Sequence, residues 1–105
     1  MSWIKIESEY DDLDKYKSTI AGNIMYYKKD TDIFHNPYGP AIIDKDGYKE
    51  YCIDNELHRL DGPAVIWPNG EEEYWINYEQ LSKEEFEKHS ERLKYLGKEY
   101  LICLT

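Results

Sequence analysis

A chain of 105 residues holds one domain with a modest core and is too short for two. Apolar residues make up 41% and the formal charge is −9, which excludes a membrane-embedded protein and an obviously disordered one. Aromatic residues are eleven Tyr and three Trp against two Phe, a mixture suited to half-buried sheet faces where the ring packs and the polar atom reaches outward.

Residues 1–34 read as an N-terminal cap and a first strand. Trp3-Ile4-Lys5-Ile6 alternates as a short strand does. Ser8, followed by Glu9 and Asp11, has the form of a helix N-cap with acids in the first turn. Tyr10, Leu13 and Tyr16 would then share one face, which predicts a short helix over about residues 9–17. Beyond Gly22, Ile24-Met25-Tyr26-Tyr27 is β-branched and aromatic, and predicts a strand that opens the sheet as an atypical first repeat. The start lacks a signal peptide's apolar run and nothing reaches spanning length, so a reducing cytoplasm is the expected location. Cys52 and Cys103 are too few for a disulfide scaffold.

Residues 35–81 are one motif written twice. His35-Asn36-Pro37-Tyr38-Gly39-Pro40-Ala41-Ile42-Ile43 returns 23 residues later as His58-Arg59-Leu60-Asp61-Gly62-Pro63-Ala64-Val65-Ile66. The match continues through Gly47 and Gly70, Glu50 and Glu73, Tyr51 and Tyr74, and Ile53 and Ile76. A fixed period in this range signals stacked copies of one supersecondary unit. Asp46-Gly47 and Asn69-Gly70 stand between β-prone runs, which predicts hairpins closed by type I′ turns. Asp54-Asn55 can turn the chain again, and Asn77-Tyr78 is a poorer candidate for the same task.

Residues 82–105 close the array. Ser82-Lys83-Glu84-Glu85 is a capping box, Phe86, His89, Leu93 and Leu96 share a face, and Gly97 is placed to end the helix. Tyr100 to Leu104 is apolar enough for a last strand that either docks or makes a homodimer.

The 23-residue unit resembles MORN-type repeats, in which an aromatic strand, an Asn-Gly turn and a His precede the next glycine. It is more similar to a group of small phage and bacterial proteins that repeat His-Arg-x-Asp-Gly-Pro-Ala. Residues 58–64 fit that unit fully, and residues 35–41 keep its His and Gly-Pro-Ala. The chain departs from it at Asp54-Asn55 and Asn77-Tyr78, where Asn-Gly is usual. The resemblance implies a single α+β, mostly β domain: an antiparallel curled sheet of repeated hairpins with a short N-terminal helix and a C-terminal capping helix. It also implies binding in preference to chemistry, as in small phage proteins that occupy a host protein, including components of host immunity.

The candidate functional residues lie in the repeats, which carry three basic and ten acidic residues. Such a surface repels phosphate, so direct nucleic-acid binding is disfavoured and a basic or nucleic-acid-binding host protein is the expected partner. Glu71, Glu72 and Glu73, with Asp44, Asp46 and Glu50, could present carboxylates at phosphate-like spacing and mimic a nucleic acid. A solvated face around hairpin turns is the plainer reading of the same residues. Trp67 and Trp75 are candidate anchors, split between core and exposed face by the two-residue period of a strand. Arg59 could contact a partner or pair with Asp61. His35 and His58 are too few for a zinc site, so each is expected to order its own turn through backbone carbonyls. No catalytic constellation, metal site or cofactor is expected. The residues therefore predict a non-enzymatic binding module, which the resemblance makes a phage-encoded inhibitor of a host defence protein, with a nucleotide-binding or other small-ligand protein as the alternative.

Overall fold

The computed structural model describes residues 3–19 and 21–97. Its framework is an open antiparallel sheet of eight strands with two short helices after it. The strands are β1 (Trp3–Ile6), β2 (Leu13–Ser18), β3 (Ile24–Lys28), β4 (Ile42–Ile43), β5 (Lys49–Glu50), β8 (Val65–Ile66), β9 (Glu72–Ile76) and β10 (Glu79–Leu81), adjacent in that order. A separate two-stranded ladder joins β6 (Cys52–Ile53) to β7 (Glu56–Leu57).

The predicted N-terminal helix is a strand. β2 runs between β1 and β3, with Leu13 opposite Lys28 and Lys17 opposite both Ile4 and Ile24. Ser8 does accept the Tyr10 backbone N–H at 3.1 Å, as a cap would, but it closes a turn into β2. A helix of nine residues is marginal on its own. As a strand, the same stretch is paired along both edges and buries Leu13. It also buries Asp14, whose carboxylate takes the Asp30 backbone N–H at 2.8 Å and the Lys5 ammonium at 3.2 Å. β3 accordingly does not open the sheet, because β1 and β2 precede it.

From β3 onward the hydrogen bonding recurs with the sequence period. The Ala41 N–H donates to Glu50 and the Ala64 N–H to Glu73, both at 2.8 Å. Val65 lies opposite Glu73 as Ile42 lies opposite Glu50. The hairpin pairs Cys52–Leu57 and Trp75–Gln80 are again 23 residues apart. The bridge from Tyr27 to Phe34 is their counterpart at the head of the array, across a turn two residues longer.

The glycine turns close hairpins and Asp54-Asn55 turns in the left-handed region, both as predicted, but the glycine turns are of another type. At Asp46-Gly47 and Asn69-Gly70 only the glycines have positive φ (100° and 90°), and their N–H groups reach back to Asp44 and Trp67. These are type I turns followed by a left-handed glycine. Pro68, whose ring fixes φ near the value that the turn's first central residue needs, suits that form. The type I′ pattern falls instead at Asp54-Asn55 (φ 51° and 68°) and at Asn77-Tyr78 (φ 50° and 65°). The side chain at 78 thus occupies a conformation that glycine holds more easily.

The core is thin. Ala41 and Ala64 are fully enclosed, and Leu13, Tyr26, Cys52, Val65, Ile76 and Phe86 are buried. Helix α1 (Lys83–Lys88) starts at the predicted capping box: Ser82 Oγ accepts the Glu85 N–H and Glu85 accepts the Ser82 N–H. Phe86 then packs its ring 4.6 Å from that of Tyr74 on β9. The helix predicted as continuous breaks at His89, which is extended (ψ 133°) and caps α2 (Ser90–Tyr95) by accepting the Glu91 N–H. Of the predicted apolar face only Phe86 is buried, and Leu96 is exposed. Gly97 ends α2 at φ 74°, as its position suggested. Tyr100–Leu104, predicted as a terminal strand, lies outside the described residues, as does Cys103.

Candidate functional site

Glu73 is the hinge of the candidate surface. Strand alternation sends Glu73 and Trp75 to one face of β9, and Glu72 and Tyr74 to the other. One oxygen of the Glu73 carboxylate accepts the Trp67 indole N–H at 2.8 Å, and the other accepts that of Trp75 at 2.9 Å. A single carboxylate therefore ties two tryptophans across the β8–β9 hairpin. Tyr48, in the preceding unit, packs its ring 4.9 Å from Trp67 and gives its hydroxyl to Glu50. Burial and the Glu50 carboxylate raise the Tyr48 phenol far above its ordinary range, so the hydroxyl stays a donor.

The nine residues singled out from the sequence are thus not one acidic face. Glu50 and Glu73 are spent on aromatic donors, and Asp44 caps its own turn by accepting the Asp46 and Tyr48 N–H groups. Among the described residues Glu71 and Asp46 are exposed with no side-chain partner, and Glu72 meets only the Tyr74 hydroxyl at 3.4 Å. Trp67 is 40% exposed beside them, whereas Trp75 is half-buried. Trp67 and Glu71 face each other across one hairpin, with Asp46 on the equivalent turn of the unit before, while Glu72 points from the opposite face of β9.

Arg59 lies apart from that group. Its Nε donates to Asp61 at 2.8 Å, its terminal nitrogen donates to the Pro63 carbonyl at 3.0 Å, and its guanidinium covers the Tyr51 ring at 3.9 Å. In the first unit Asn36 makes the corresponding bond to the Pro40 carbonyl at 3.0 Å. A Cβ at Gly62 would come within 2.8 Å of the guanidinium carbon, so a larger residue there would displace Arg59 from this position.

The histidines act differently from the expectation. His35 Nδ1 accepts the Asp54 backbone N–H at 3.0 Å, and His58 Nδ1 accepts that of Asn77 at 2.9 Å. Each ring therefore holds the turn 19 residues further on, at the far end of its own 23-residue unit, and not the Gly-Pro loop beside it. Burial lowers the His35 pKa, so the ring stays neutral and keeps the lone pair that this bond needs.

A cleft of about 470 Å³ opens between the two Gly-Pro-Ala loops, with Tyr38, Tyr51, His58 and Tyr95 along it. Among the described residues Arg59 is its one arginine or lysine, with two of its five N–H donors engaged by Asp61 and Pro63. Among the described residues no cluster of three His, Cys, Asp or Glu could hold a metal ion, and no helix is long and apolar enough to cross a membrane.

Sequence reasoning missed the two-indole bridge at Glu73. The alternation of Glu73 with Trp75 was legible; the return of Trp67 across the hairpin needed the Pro68–Gly70 turn to be placed first. Compared with family models, curated proteins and solved structures, the chain matches none.

Proposed function

We propose that the chain is a non-enzymatic protein-binding module that engages a basic or nucleic-acid-binding protein through Trp67, Glu71 and Asp46. The observation that carries this reading is Trp67: an aromatic ring 40% exposed, fixed by Tyr48 on one side and by the Glu73 carboxylate at its N–H. A ring held in place before contact loses little entropy on binding, which is what an interface anchor requires. Unpaired carboxylates beside it supply attraction for a cationic partner. The chemistry of the other candidates supports binding over catalysis. Burial, with Glu50 beside it, pushes the Cys52 thiol up to about 12, so it is no nucleophile at neutral pH. The Nδ1 atoms of His35 and His58 are occupied by backbone amides.

The reading extends to a MORN-like origin for the repeated hairpins, a curled sheet, and a phage-encoded inhibitor acting on a defence protein in the host cytoplasm. In its sharper form the surface mimics a nucleic acid. The test is affinity capture from host lysate with the native chain, Trp67→Ala and the double variant Asp46→Lys/Glu71→Lys. One saturable partner should be retained by the native chain and lost by both variants. Its binding should weaken steeply with salt and yield to added DNA. Equal retention by the variants, or no saturable partner, would sink the proposal.

A further inference from the structure

A second feature stands at the other end of the sheet, on β1, β2 and β3, and is independent of Trp67. Strand register places Tyr16 opposite Met25, and alternation brings Trp3 and Tyr27 to the same face. Together with Thr31 and Asp32 these side chains line a pocket of about 310 Å³, open to solvent. Tyr16 and Tyr27 stand at 87° to each other with centroids 5.5 Å apart, so they form two walls of a corner. Phe34 stacks on Tyr27 at 4.8 Å and backs that wall. The Tyr27 hydroxyl is turned to the Met25 sulfur at 3.7 Å.

The electrostatics of this corner are one-sided. Elsewhere the protein covers ring faces with its own cations: Lys15 over Tyr26, Arg59 over Tyr51 and Arg92 over Phe86. None of the described cations covers Trp3, Tyr16 or Tyr27 in this way. Lys5, opposite Tyr16 in register, directs its ammonium to Asp14 at 3.2 Å. Asp32, at the mouth, is exposed and finds neither a hydrogen bond nor an ion pair among the described residues. Aromatic walls present negative ring faces, and an unpaired carboxylate adds a full negative charge at the entrance.

The geometry points to a site for a quaternary ammonium group, either the methylated side chain of a lysine or a free choline-like cation. Methyl groups on nitrogen spread the positive charge and weaken its hydration, so the group enters an apolar corner that a bare ammonium avoids. The volume lies at the small end for ligand pockets and suits one such head group, not a dinucleotide.

The test is an NMR titration of the full chain, following the Trp3 indole N–H and the ring signals of Tyr16 and Tyr27. The probes are choline, its uncharged isostere 3,3-dimethylbutan-1-ol, and one peptide carrying lysine or trimethyllysine. Choline should move these signals saturably, and the neutral alcohol should bind about tenfold more weakly, the loss of one desolvated cation–π contact. Asp32→Asn, at an exposed position, should weaken choline binding by up to about fivefold. Tyr27→Phe should retain binding and Tyr27→Leu should lose it. A trimethyllysine peptide that binds more tightly than choline assigns the site to a modified partner protein; the opposite order assigns it to a free ligand. Equal binding of choline and the neutral alcohol would overturn the inference. So would the absence of a saturable shift at millimolar choline with the protein still folded.

Discussion

At His35 the bond to the Asp54 amide ties stability to pH. Burial holds the folded imidazole below its ordinary 6.5, so the unfolded chain takes up a proton more readily than the folded one. The stability this supplies is complete above pH 6.5 and is lost as pH falls from there through the lower folded value. Denaturant midpoints should therefore decline on mild acidification, and His35→Asn should flatten that limb. The carboxylates of Asp14 and Glu9 are held low mainly by backbone N–H groups, so their contribution fails only in a separate, more acidic window, below their ordinary values near 4. At Glu73 the same reasoning concerns hydrogen bonds. Glu73→Gln keeps the shape but offers one acceptor where two indoles donate, and should cost about 1 kcal/mol in urea denaturation.

The hairpin is the element whose sequence signals were strongest, and it shows where such signals stop. Gly47 and Gly70 were legible as turn residues because left-handed backbone favours glycine. The turn type was not, since Asp-Gly and Asn-Gly serve both a type I′ turn and a type I turn with a following glycine. Asn77-Tyr78 adopts the mirror-image turn against its local preference because the ladder on either side demands it: Glu79 must meet Ile76, and the Tyr78 N–H must reach Leu57. Replacing Tyr78 by Gly should stabilise the protein by about 0.5–1 kcal/mol, the relief of a left-handed side chain less the ring contact with Trp75, readable as a rise in Tm. β2 was illegible for a related reason. Tyr10, Leu13 and Tyr16 carry helical spacing, and only pairing with β1 and β3 overrides it. The break at His89 also escaped, with no Pro or Gly to mark it. The candidate site was legible in its residues and not in its grouping, because which carboxylates remain free depends on partners that lie across hairpins.

The whole molecule is elongated, as a succession of eight strands in one open sheet requires. It measures 54 × 32 × 19 Å, and its radius of gyration of 15.6 Å exceeds the roughly 13 Å usual for a globular domain of about this length. Each unit leans on its neighbours, so opening should start from the ends. Hydrogen exchange should find the amides of Ala41, Tyr51 and Ala64 among the slowest and those of β1 and Leu81 much faster; uniform protection would contradict this. The 19-residue reach of each histidine has a further result. Because His58 and the turn it secures lie within one block, a duplicate of residues 58–80 spliced in after Leu57 would bring its own fastener with it. Such a lengthened chain should fold, and X-ray scattering should record a long axis greater by about two strand spacings, ~10 Å. Size in this architecture is therefore a count of interchangeable tiles, free to change by whole steps while each seam stays the same.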